Sequence, residues 1–139
     1  MTQDLGPRYA ELVRELGRRI LVIDGAIGTL LQAHGLSEDD YRGERLRGWA
    51  REVKGNHELL NLSRPDLVVA AHREYLAAGG DIVETSTFNA NRISQADYGT
   101  EALVHDLNVA AARAARQAAD AVMASGPARQ WPVPRSSSL

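Results

Sequence analysis

An α/β fold with parallel strands is the class this sequence predicts, and three observations predict it. Two short runs rich in branched residues, Ile20-Leu21-Val22-Ile23 and Asp81-Ile82-Val83-Glu84-Thr85-Ser86-Thr87-Phe88, are separated by segments of helical periodicity. The first run is continuous rather than alternating, the pattern of a strand buried on both faces. The alternation of strand and helix implies right-handed crossovers between parallel strands. Two strands cannot pair all their own edges, so the expectation is the opening portion of a larger domain.

The elements follow in order. Tyr9, Leu12, Val13, Leu16 and Ile20 recur at helical spacing, which predicts a helix from Pro7 to Arg19 with Gly17 near its end. The first strand ends at Asp24-Gly25, and Thr29 to Ala33 reads as a short helix closed by Gly35. Residues 36 to 64 are polar and irregular, a connection long enough to be either functional or disordered. Ser63-Arg64-Pro65-Asp66 is a helix start, with Ser63 as the expected cap. Leu67, Val68, Ala71, Tyr75 and Leu76 then mark one face, and Gly79-Gly80 ends the helix. After the second strand, Asn89 to Tyr98 reads as a loop with a short helical stretch. Thr100 is placed to cap a last helix from Glu101 to about Met123, whose alanine face suits close packing. Ser125-Gly126-Pro127 is a stop. The expected division is an N-terminal helix over 1–19, a partial α/β domain over 20–124 and a tail over 125–139.

Composition narrows the function. The 139 residues are 44% hydrophobic and 24% charged, with a formal net charge of −2, which gives no field directed at nucleic acid or an anionic membrane. No apolar run is long enough to span a bilayer and no signal peptide is recognisable at Met1-Thr2-Gln3-Asp4, so a cytoplasmic location is expected. There is no cysteine, hence no disulfide, thiolate metal site or cysteine nucleophile in these residues. His34, His57, His72 and His105 lack metal-ligand spacing and are expected on exposed helix or loop positions. No residue is assigned as catalytic and none as a metal ligand.

Two polar clusters fall at the carboxyl ends of the predicted strands, where α/β folds bind ligands. They are Asp24-Gly25-Ala26-Ile27-Gly28-Thr29 and Glu84-Thr85-Ser86-Thr87-Phe88-Asn89. A carboxylate at each strand end suits an ammonium group, and the glycine-rich turn offers amides to a carboxylate, so together they suit an amino acid. Asp24-Gly25 also reads as simple turn chemistry. The Asp24–Glu84 pair also reads as the acid and base of a hydrolase. Glu84 within a buried strand calls for a partner, because an unpaired buried carboxylate is costly. Gly25-Ala26-Ile27-Gly28 lacks the third glycine of a dinucleotide fingerprint and the lysine of a phosphate loop.

At these residues the sequence resembles the homocysteine S-methyltransferase family. Asp24-Gly25-Ala26-Ile27-Gly28-Thr29 is similar to that family's D-G-x-M-G-T motif. Gly80-Asp81-Ile82-Val83-Glu84-Thr85-Ser86-Thr87-Phe88-Asn89 is similar to its A-D-I-I-E-T-N-T-F motif, with Ser86 in place of Asn. Tyr41-Arg42-Gly43-Glu44-Arg45 and Lys54-Gly55-Asn56-His57-Glu58-Leu59-Leu60 resemble the long first loop of its cobalamin-dependent methionine synthase branch. Ala96-Asp97-Tyr98 and the helix carrying Asn108 continue a match that covers about residues 18 to 124.

The resemblance implies a (β/α)8 TIM barrel, of which this chain holds about two of the eight strands. It implies methyl transfer to the thiol of homocysteine, giving methionine. It also implies zinc held by three cysteines of later strands and methylcobalamin carried on another domain. By the same resemblance Asp24 and Glu84 lie near the homocysteine amino group, Gly25, Gly28 and Thr29 near its carboxylate, and Thr87 and Phe88 along the pocket. The zinc ligands are absent from these 139 residues, and Val133-Pro134-Arg135-Ser136-Ser137-Ser138-Leu139 does not continue as the family's third strand. The expectation is therefore a frameshifted or truncated product, inactive alone, whose partners are the remaining barrel and cobalamin domains if these are encoded separately. The alternatives are a homocysteine methyltransferase using betaine or S-methylmethionine, and a non-enzymatic helical interaction module built on the Glu101–Met123 helix.

Overall fold

The long polar connection, rather than the strands, supplies much of the core. The computed structural model describes residues 6–125. Helix α1 spans Gly6–Leu16, α2 Ile27–Gln32 and α3 Glu38–Arg42. A 3-10 turn at His57–Leu59 leads into α4, Leu60–Ser63, and α5, Pro65–Ala78. Helix α6, Arg92–Ala96, precedes a second 3-10 turn at Glu101–Leu103 and the long α7, Val104–Ala124. The expected tail from residue 126 onward lies outside the described residues.

Helices α5 and α7 form the most extensive contact. The alanine face predicted from the sequence makes this possible, with Ala111, Ala114, Ala115 and Ala118 buried beside Leu107. Small side chains let the two backbones approach closely. Val68 and Ala71 of α5 join this core, as do Leu31 of α2 and Tyr41 of α3. Leu46, Val53, Leu59 and Leu60 complete it. The connection over residues 36 to 64 is thus an ordered, core-building segment.

Its fold follows from local chemistry. Ser37 caps α3 reciprocally: its hydroxyl accepts the Asp40 N–H while the Asp40 carboxylate accepts the Ser37 N–H. Glu38 accepts the amides of Val53 at 2.9 Å and Lys54 at 2.7 Å and the Arg42 guanidinium at 2.8 Å. Burial alone would raise the Glu38 carboxyl, but these donors outweigh it and hold its pKa below the usual value.

The α/β expectation is corrected here. No strand is formed among the described residues; the two branched runs meet at one parallel bridge, Ile23 to Ile82. Asp24 N–H donates to the Ile82 carbonyl at 2.9 Å, and the Asp81 and Ile82 amides reach the Val22 carbonyl at 2.8 and 3.1 Å. The parallel direction matches the expectation, but the ladder goes no further. A lone pair of short parallel segments has too few partners to sustain one. The predicted burial on both faces fails with it: Ile20 is 86% exposed, and Val22 and Ile23 are exposed too. Glu84 is likewise exposed rather than buried in a strand.

Three helix details also depart from expectation. The apolar face of α1 (Tyr9, Leu12, Val13 and Leu16) is exposed. Arg64, not Ser63, is the residue preceding α5, and the Ser63 hydroxyl is buried without a partner. Thr100 makes no side-chain cap; its hydroxyl donates instead to Gln95 Oε1 at 2.7 Å. The predicted stop at Gly79 holds, with φ +115°.

Candidate functional site

The single bridge is enough to bring the two polar clusters together. Asp24 directly follows the bridged Ile23, and its Oδ1 accepts the Glu84 backbone N–H at 3.0 Å. On the other side of the same segments, Asp81 receives a two-pronged contact from Arg19 at 3.0 and 2.9 Å. Asp81 Oδ2 also accepts the Val22 N–H at 3.0 Å. The Arg19 guanidinium holds the Asp81 carboxyl below its ordinary pKa, against a smaller upward push from burial.

The two carboxylates named from the sequence have different surroundings. The Asp24 side chain is only 2% exposed, so its carboxylate joins the two bridged segments from the buried side. The Glu84 side chain stands at an exposed position above it. Gly25 lies under Tyr75, where an added Cβ would sit 3.3 Å from the phenol oxygen. Gly28 borders open space and Thr29 is exposed at the start of α2. No side chain caps that helix. Thr87 shares a 2.8 Å hydrogen bond with Thr85, while Phe88 is 94% exposed. The arrangement therefore gathers Asp24, Gly25 and Glu84; Phe88 projects away from any packed wall.

Several residues beneath the second cluster were not singled out from the sequence. Glu58 is 6% exposed and accepts the Asn89 N–H at 2.8 Å. Asn61 donates to the Ser86 carbonyl at 2.8 Å. Asn56 and Gln95 bond reciprocally at 2.8 and 3.2 Å, and Gln95 also donates to the Asn89 carbonyl at 3.0 Å. Glu58 and Asn61, with Gln95 held by Asn56, are thus the hydrogen-bonded floor of residues 86–89. A cavity of about 180 Å³ opens beside Glu58, bordered by Asn56, Asn89 and Tyr98.

The histidines divide. His34 and His105 are exposed as expected, and His57 is half-buried with its ring edge-on to Tyr41. His72 contradicts the expectation, being fully buried with Nδ1 3.7 Å from Asp24 Oδ2. Its signal was a polar residue one helical turn beyond Val68 on the buried face of α5.

The family model for homocysteine S-methyltransferase matches residues 21–134. The chain belongs to the homocysteine S-methyltransferase family. The match takes in both polar clusters and the segment joining them, and it runs past Ser125 into the stretch set apart as a tail. The zinc implied by the resemblance does not fit the residues present. The chain has no cysteine, and no three His, Asp or Glu side chains among the described residues are grouped to hold a metal ion. No helix among the described residues is long and apolar enough to cross a membrane.

Proposed function

We propose that this chain carries the amino-acid-binding part of a methionine synthase-type homocysteine S-methyltransferase. The observation that supports this most is the Asp24–Glu84 contact at 3.0 Å, inside a segment that matches the family. In this reading the exposed Glu84 carboxylate receives the homocysteine ammonium, and Asp24 beneath it fixes the Glu84 backbone and adds negative potential. Gly25, Gly28 and Thr29 present the uncapped start of α2 to the substrate carboxylate. Thr87 borders the substrate's thiol-bearing arm, and Phe88, exposed in this structure, would line it once the remaining barrel packs beside it.

The methionine synthase type, rather than a betaine or S-methylmethionine enzyme, is favoured by the long segment from Gly35 to Asn61. The segment is ordered and supports residues 86–89 through Glu58 and Asn61. Without thiolate donors the chain has nothing of its own to generate a homocysteine thiolate, so it is inactive alone. The remaining barrel and a cobalamin-bearing domain would act with it, in the cytoplasm.

Calorimetric titration of the 139-residue chain with homocysteine tests the proposal. Saturable binding, weakened about tenfold in Glu84→Gln through loss of a charged hydrogen bond, is expected. Methyl transfer from any of the three donors should be undetectable. Absent binding, or binding unaffected by Glu84→Gln, would overturn the assignment of Glu84. Methyl transfer by the chain alone would overturn its inactivity.

A further inference from the structure

Helix α5 turns two side chains toward the first strand end, one helical turn apart. Tyr75 covers Gly25, and His72 lies behind Asp24. His72 is fully buried, and neither ring nitrogen has a hydrogen-bond partner. A buried polar group without a partner is costly and calls for an explanation. Asp24 supplies one: its Oδ2 is 3.7 Å from Nδ1, a gap that a small side-chain shift closes, while its Oδ1 is engaged by the Glu84 N–H.

We infer that His72 is a positioning residue for Asp24: its Nδ1–H holds Oδ2 while the Glu84 amide holds Oδ1, leaving the carboxylate one orientation. The arrangement fixes the tautomer, because only a proton on Nδ1 faces the carboxylate. It also couples α5 to both strand ends, so that loss of the imidazole reaches the Glu84 backbone twelve residues further along the chain. The consequence for homocysteine rests on the functional reading above; the positioning itself does not.

Nitrogen-15 spectra of the full 139-residue chain at neutral pH test it. The His72 ring should carry its proton on Nδ1, and Asp24→Asn should shift that resonance. His72→Phe should speed exchange of the Glu84 amide about tenfold, whereas His72→Asn, which keeps a donor near Nδ1, should stay within about threefold of the native rate. A proton on Nε2, or unchanged Glu84 exchange in a His72→Phe chain with native circular dichroism, would overturn the inference. If His72→Phe fails to fold, the tautomer in the native and Asp24→Asn chains decides alone. A native chain that binds no homocysteine would defeat the functional reading and leave these two readouts to judge His72.

Discussion

The Asp24 carboxylate accepts the backbone N–H of Glu84 at 3.0 Å, joining two motifs that lie 60 residues apart. One side-chain contact continues the pairing that the backbone abandons after a single bridge. Asp24→Ala should therefore loosen the two bridged segments and cost about 0.5–1.5 kcal/mol, the net worth of a hydrogen bond whose donor stands at an exposed position. Asp24→Asn keeps an acceptor and should cost less. Urea denaturation of the two variants checks the order.

Gln95 is the hub of the buried polar floor, bonded to Asn56, Asn89 and Thr100. Gln95→Leu would strand both ends of the buried Asn56 amide and leave the Thr100 hydroxyl only its 3.3 Å bond to the residue-95 backbone carbonyl. A loss of about 3 kcal/mol is expected. Because the partners act as a unit, Asn56→Leu and the double variant should be strongly non-additive in a denaturation cycle.

Gly43 sits at φ +54° and ψ −160°, a region open essentially to glycine alone. An added Cβ would also lie 2.8 Å from the Ser63 Cβ. Gly43→Ala should cost about 2–4 kcal/mol from strain and overlap together. Gly28→Ala meets open space and should be close to neutral for stability. Thermal unfolding of the two variants separates conformational need from mere glycine content.

Stability should fall in two stages as the solution is acidified. His72 is held below its ordinary pKa of 6.5, chiefly by burial, with Asp24 pulling upward. The unfolded chain thus takes up a proton below that value which the folded chain refuses, and stability declines from there. Asp81 is held below its ordinary 3.8, chiefly by Arg19. Its contribution is complete above that value and is lost as pH falls through the folded pKa. In denaturation midpoints against pH, His72→Asn should flatten the first decline, and Asp81→Asn should lessen the second, which Glu38 shares.

Much of the helical frame was legible because its signals are local. Pro65 and Gly79 bracket α5, and the alanine stripe identified the packing face of α7. The strands were overestimated because a branched run records only a preference, while a ladder needs neighbours on both edges. That is why Ile20 and Glu84 are exposed where burial was expected. The two motifs were readable in the sequence, but the contact that joins them was not. That Asp24 lies beneath and Glu84 above depends on a contact spanning 60 residues. Asn56 and Glu58 lay inside a quoted motif, but their role as a floor with Gln95 was not legible, because single polar residues in a polar segment carry no periodic signal.

The most direct test follows the backbone amides of the 139-residue chain while homocysteine is added. Saturable shifts concentrated at Gly25, Gly28 and Glu84, and abolished by Glu84→Gln, are the predicted result. Shifts confined to the cavity beside Glu58, or none at either strand end, would contradict the claim that these two motifs form an amino-acid site.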